Sequence, residues 1–187
     1  MKKKIYLVHG WGGSDSSEGW FGWLKEECYR KGIDVISFNM PNTDEPKIEE
    51  WVNYLRENVT GVNENTYLIG HSIGCQTILR FLEKLPKHKR VAGCVFVAPW
   101  LDLINMNPEE MTIAHPWINS EINFDRIKYH TNNFLALFSD DDPYVHINEV
   151  EKFRDRLGAK IIIKHKEKHF NETEKISEIL KFIHGSR

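Results

Sequence analysis

The stretch Thr66-Tyr67-Leu68-Ile69-Gly70-His71-Ser72-Ile73-Gly74 limits the folds open to this chain more than any other. Strand-like apolar residues run into Gly-His-Ser-Ile-Gly. A helical apolar pattern of Ile78, Leu79, Phe81 and Leu82 follows. A strand that turns sharply into a helix puts the residue at the corner, here Ser72, in a strained backbone conformation. Glycines at 70 and 74, having no side chains, let neighbouring backbone pass close by. Such a turn lifts the Ser72 hydroxyl above the end of a sheet. It also points the Ile73 N–H, at a helix N-terminus, toward the same spot. Gly-x-Ser-x-Gly alone says little; between a strand and a helix, with partners in the right order downstream, it points strongly to a nucleophile.

The rest of the chain alternates short apolar runs with helical stripes. Ile5–Val8 reads as a buried strand. Trp20–Lys31 reads as a helix with Trp20, Phe21, Leu24 and Cys28 inward, ended by Gly32. Ile33–Phe38 is a second strand, and Pro46–Asn58 a helix with Pro46 near its first position. Tyr67–Ile69 is the third strand, Ile73–Leu85 the third helix, and Val91–Ala98 a strand closed by Pro99. Phe134–Phe138 and Ala159–Ile163 bring the strands to six. A helix over Ile147–Leu157 separates them, and another over Glu172–Ile183 ends the chain. The spacing predicts an α/β fold: a three-layer α/β/α sandwich around a mostly parallel six-stranded sheet, in one domain over 1–187. Pro99–His130 is long for a bare connection, so it is either locally helical or functional. Its Trp100, Met106 and Trp117 either pack the crossover or line an acyl pocket.

Each candidate reactive group follows a strand, where open α/β sheets bind ligands. His9-Gly10-Trp11-Gly12-Gly13 lacks the spacing of a phosphate or dinucleotide loop. With Ser72 downstream, it reads as the second half of an oxyanion hole, its donor the Trp11 N–H beside that of Ile73. A serine hydroxyl needs a base, and His169 after the sixth strand supplies one. The acid that orients the imidazole comes from Asp140-Asp141-Asp142 after the fifth strand, with Asp102 a minor candidate. His71 is structural or lines the entrance, and His9 supports the oxyanion loop. His165 and His169 are four apart, but they flank a strand end without the Glu of a metalloprotease helix, so no metal and no cofactor is expected.

Composition excludes several classes. There are 25 basic and 27 acidic residues among 187, a net charge of −2, which offers no electrostatic reason to bind nucleic acid or an anionic membrane. The apolar run after Lys2-Lys3-Lys4 stops at His9-Gly10, too soon for a signal peptide. Cys28, Cys75 and Cys94 are scattered and odd in number, which suits a reducing, cytoplasmic setting. The expected partner is a small-molecule acyl ester.

Together, His9-Gly10-Trp11, Met40-Pro41-Asn42, Trp51, Thr66 to Cys75, Ile78 to Glu83, Asp141-Asp142-Pro143 and His169-Phe170 resemble the α/β-hydrolase superfamily. More narrowly they resemble its small serine hydrolases of the YdeN and retinoblastoma-binding-protein-nine type. The likeness spans nearly the whole chain, and the order Ser, Asp, His agrees with it. It implies a compact fold without a large cap and a serine-esterase activity with Ser72 as nucleophile. In the Gly-x-x-Asp-x-x-Val motif that residues 139–145 resemble, the last acidic residue is the triad member. Asp142 is therefore favoured, with Asp141 the alternative. One departure stands out: Lys168 occupies a position where relatives usually carry glycine. Two other readings use the same fold. One is a protein-binding module docking through 99–130; the other is an acyltransferase or peptidase using the same three residues.

Overall fold

The computed structural model describes residues 2–14 and 19–185. Its strands are β1 (Lys4–Val8), β2 (Asp34–Ser37), β3 (Thr66–His71), β4 (Gly93–Val97), β5 (Phe134–Ser139) and β6 (Lys160–Lys164). Its helices are α1 (Gly19–Arg30), α2 (Ile48–Asn58), α3 (Ile73–Lys84), α4 (Pro108–Asn119), α5 (Phe124–Lys128), α6 (Glu149–Leu157) and α7 (Ser177–Gly185). The strands form one sheet in the order β2-β1-β3-β4-β5-β6, and every pairing is parallel. Helices cover both faces, so the expected three-layer α/β/α architecture is present.

The pleat divides each strand between two cores, because successive side chains point to opposite faces. Ile5 and Leu7 of β1, Ile69 of β3 and Val95 of β4 face α1 and α7, meeting Trp20, Phe21, Leu24, Ile179 and Ile183. Tyr6, Val8, Leu68 and Phe96 face the other way, toward Trp51, Ile78, Leu82, Trp117 and Phe153. Both faces of the central strands are therefore buried, which is why their sequences read as continuous apolar runs. Truncating one of the large rings, such as Phe96, to alanine costs about 3–5 kcal/mol.

One long connection follows the locally helical reading of the sequence, and one helix begins later than expected. Residues 99–130 resolve into α4 and α5. Asn107 caps α4 by accepting from the Glu109 and Glu110 N–H groups, while the Glu110 carboxylate accepts from the Asn107 N–H. With Pro108 at the first turn, this is a complete capping box. The last helix begins at Ser177 instead of Glu172. The preceding residues are committed to turns, with Thr173 Oγ1 donating to Glu167 Oε2 at 2.7 Å. No helix among the described residues is long and apolar enough to cross a membrane.

The chain order places the site. β1 has β2 on one side and β3 on the other, so the connections leaving β1 and β3 diverge at their carboxyl ends. A crevice opens at such a switch point. Residues 10–13 and Ser72 flank it.

Candidate active site

Ser72 sits at the N-cap of α3 with φ 52° and ψ −120°. That left-handed strain is held from both sides: the Ser72 N–H donates to Val97 O at 2.9 Å, and the Cys75 N–H donates to Ser72 O at 2.9 Å. The two glycines are required by contact. A Cβ on Gly70 would lie 2.7 Å from the Cys75 nitrogen, and one on Gly74 would lie 2.7 Å from His9 O and closer still to Val8 O. The turn is thus pressed between α3 and the end of β1. Ile73 is the first residue of α3, so its N–H points out of the helix end with no carbonyl of the same helix to bond.

His9 organises the loop after β1. It is fully buried, with Nδ1 bonded to Gly10 O at 2.7 Å and Nε2 accepting from the Met40 N–H at 3.0 Å. Only the neutral Nδ1–H tautomer satisfies both bonds. The loop is fixed further by the Gly12 N–H to Thr43 O at 2.9 Å, the Gly13 N–H to Gly10 O at 3.2 Å and the Trp11 indole to Asp44 O at 2.9 Å. The Gly12 and Gly13 amides are therefore already engaged by the protein.

The three consecutive aspartates do three different jobs. Asp140 accepts from the Lys166 N–H at 3.0 Å and from His165 Nδ1 at 2.5 Å. Asp141 accepts from Ser139 Oγ at 2.7 Å and from the Lys168 N–H at 2.8 Å. Asp142 turns inward: Oδ2 bonds His169 Nδ1 at 2.8 Å, while Oδ1 accepts from the Tyr144 and Val145 N–H groups. Its side chain is 2% exposed and that of His169 10%. Hydrogen bonds from His165 and the Lys166 N–H lower the Asp140 pKa, and bonds from Ser139 and the Lys168 N–H lower that of Asp141. The Asp140 bond raises the pKa of His165. His165 lies outside, 74% exposed and turned to Asp140, so it does not share a ligand set with His169. Among the described residues no group of three or more His, Cys, Asp or Glu is arranged to hold a metal ion.

Ser72 and His169 line one cavity of about 600 Å³, together with Trp11, His71, Trp100, Met106 and Tyr144. His71 is buried and donates from Nε2 to the His169 carbonyl at 2.8 Å, tying the turn after β3 to the histidine loop. Trp100 donates from its indole Nε1 to Ser72 Oγ at 3.3 Å. Trp117, expected as a candidate for the same lining, lies elsewhere. Its indole donates to Pro46 O at 2.8 Å and its ring meets Trp51 edge-on, making it core between α2 and α4. Asp102 accepts from the N–H of its neighbour Leu103, while the carboxylate on His169 is that of Asp142. A wider groove of about 860 Å³ opens at the opposite end of the strands, near Lys3, Asn65, Ala92 and Asn133. It contains none of these residues, so size does not identify the site.

Three supporting residues were not singled out from the sequence. Gln76, fully buried on α3, donates to Trp100 O at 3.1 Å. Glu149, 3% exposed, accepts from the Leu101 N–H at 2.6 Å and pairs with Lys152. Arg80, whose burial lowers its pKa, donates to the Trp117, Ser120 and Glu121 carbonyls at the end of α4. The available signal was the polar residue on the apolar stripe: Gln76 and Arg80 interrupt a run that is otherwise core. The three cysteines are free and buried. Burial raises the thiol of Cys28 to about 11 and pushes those of Cys75 and Cys94 up as well, which leaves them poor nucleophiles.

Comparison with known proteins bears on family and fold. The model of the family described as serine hydrolase matches residues 5–180. The YdeN protein of Bacillus subtilis (strain 168) is 41% identical over 98 residues, 52% of this chain and 51% of that protein, so the matched part spans about half its length. Serine hydrolase RBBP9 of Rattus norvegicus is 28% identical over 174 residues, covering 91% of this chain and 89% of that one. The crystal structure of the B. subtilis ydeN gene product superposes with a TM-score of 0.89 at 24% identity, covering 99% of this chain and 98% of that one. The monoacylglycerol lipase of Paleococcus ferrophilus superposes with a TM-score of 0.73 at 16% identity, covering 98% and 95%. At these identities the two superpositions speak for the fold.

Proposed function

The chain belongs to the serine hydrolase family, and from that premise we propose that it cleaves a carboxylic ester through an acyl-Ser72 intermediate. The observation that carries the reading is the His169 Nδ1–Asp142 bond at 2.8 Å, made by a histidine that shares its cavity with Ser72. With Nδ1 bound to a carboxylate, Nε2 is the nitrogen that takes the Ser72 proton as Oγ attacks the acyl carbon. The same imidazole returns that proton to the departing alcohol. It then activates water to split the acyl-enzyme. The Ile73 and Trp11 N–H groups hold the oxyanion, an effect worth about 3 kcal/mol per donor. The engagement of the neighbouring Gly12 and Gly13 amides supports Trp11 as the donor from that loop.

The lining also bears on substrate. Leu103, Met106, Ile113 and Trp100 give apolar walls, while Asp44, Glu109 and Glu110 stand in the same cavity. No lysine or arginine lines it among the described residues. A low-dielectric cleft of one sign repels like charge, which supports neutral or cationic esters over anionic ones. The test is turnover of p-nitrophenyl butyrate. Ser72→Ala lowers kcat by a factor of about 10⁴ or more, and a fluorophosphonate labels the wild type at Ser72. Undiminished turnover by the purified variant refutes the reading.

A further inference from the structure

Trp100 reaches the reacting atom from the neighbouring strand. β4 lies beside β3 with Val97 opposite His71, so the turn after β4 abuts Ser72. Ala98 takes a φ of 47°, a left-handed value unusual for a residue with a side chain, and Pro99 follows. This bend swings Trp100 back over the nucleophile. Trp100 is 1% exposed, and its position is fixed on both sides. Gln76 of α3 donates to the Trp100 carbonyl, and Glu149 of α6 accepts from the next N–H, that of Leu101. Two buried polar side chains on separate helices thus locate one indole.

The chemistry of that indole has one direction. A tryptophan Nε1–H donates and cannot accept. In the 3.3 Å contact the Ser72 oxygen is therefore the acceptor, and its own hydrogen must be donated elsewhere. We propose that the Trp100 indole N–H is a catalytic hydrogen-bond donor to Ser72 Oγ, which turns the hydroxyl proton toward His169 and stabilises the negative charge that Oγ develops. The inference rests on the acyl-Ser72 reading.

The donor acts in both half-reactions. In acylation, the Oγ–H bond breaks as its proton passes to His169 Nε2, and Oγ forms a bond to the acyl carbon. The bond to the leaving oxygen then breaks, and that oxygen takes the proton from His169. In deacylation, water gives a proton to His169 and its oxygen bonds the acyl carbon. The Oγ–carbon bond breaks, and Oγ recovers the proton. Oγ carries partial negative charge at the start of the first sequence and the end of the second, with the indole N–H beside it each time. A bond to a charged oxygen is shorter and about twice as strong as a neutral one, so the resting 3.3 Å contact tightens where the barrier lies.

The test compares two buried indoles. Trp100→Phe keeps most of the ring volume and removes the N–H. Trp117→Phe does the same to an indole bonded to Pro46, outside the cavity. Fluorophosphonate inactivation measures Ser72 reactivity directly. Its rate falls about tenfold in Trp100→Phe across pH 6–9 and stays within twofold of wild type in Trp117→Phe. An unchanged rate in folded Trp100→Phe overturns the inference. Should that variant not fold, the indole ¹⁵N–¹H resonance of Trp100 in the otherwise native protein decides: it shifts in Ser72→Ala, and an unmoved resonance overturns the inference equally. A wild type that is not labelled at Ser72 refutes the acyl-enzyme reading itself, a separate outcome.

Discussion

The Ser72 turn and the His169 loop meet in one cavity but are built by different means. The turn at residues 70–74 is held by main chain. Its main-chain hydrogen bonds run from the Ser72 N–H to Val97 O and from the Cys75 N–H to Ser72 O, and its two glycines admit the backbone of α3 and of residues 8–9. The loop at 164–170 is held by side chains. Asp140 and Asp141 reach across from the end of β5 to the Lys166 and Lys168 N–H groups, and three of the loop's residues, Lys166, Lys168 and Phe170, have positive φ without being glycine. Main-chain geometry ignores pH and tolerates no added atom. Carboxylate scaffolding tolerates side-chain changes but answers to protonation.

Predictions that break or sharpen this contrast run from large effects to small. Asp142→Asn leaves the loop in place but favours the wrong imidazole tautomer, and kcat falls about 10⁴-fold with little change in Tm; a loss under tenfold would remove Asp142 from the triad. Gly74→Ala forces a methyl against the Val8 and His9 carbonyls. It destabilises the fold by about 3 kcal/mol or more, read as a fall in the urea midpoint. A wild-type midpoint would contradict the close packing described for the turn. Asp141→Ala frees the Lys168 N–H and lowers kcat by much less than Asp142→Asn. A 10⁴-fold loss there would make Asp141 the triad acid instead.

Lys168→Gly relieves a φ of 49°. It stabilises the protein by about 0.5–1 kcal/mol, and a lower Tm would show that the lysine side chain matters more than the backbone. The smallest effect is the pH response. Asp140 and Asp141 have depressed pKa values, so their support is present above the ordinary carboxylate range and is lost as pH falls through the depressed values. His165 has a raised value, so its share is present below the ordinary imidazole range and fades as pH rises through the raised one. The loop is therefore held best between the two. The Lys166 and Lys168 amide resonances move at both edges of that window and the Ser72 amide at neither. Equal movement of all three would erase the distinction.

The resemblance implied glycine at 168, and the conformation glycine prefers is present there even though the residue is lysine. The Asp141 bond to that N–H is the compensation, and it involves residues 27 apart in the chain. Asp140-Asp141-Asp142 looks like one solvated acidic turn in the sequence, and a resemblance picks Asp142 out of it. The β5–β6 register, which pairs Ser139 with Lys164, is what distributes the three carboxylates over three partners. Trp100 and Trp117 were equal candidates for the cavity. A bend at Ala98 separates them, sending one ring to Ser72 and leaving the other among the core aromatics.

What the sequence by itself determined was local or periodic. Six strands alternating with helices, the strained serine between two glycines, and the order of serine, acid and histidine all depend on residues within a few positions of each other, or on simple chain order. Tertiary structure alone decided what Asp140 and Asp141 bind, which tryptophan meets Ser72, and that Gln76 and Glu149 hold the latter in place. Those choices turn on bonds of about 3 Å between segments whose relative positions are set only when the parallel sheet pairs and its two faces are packed.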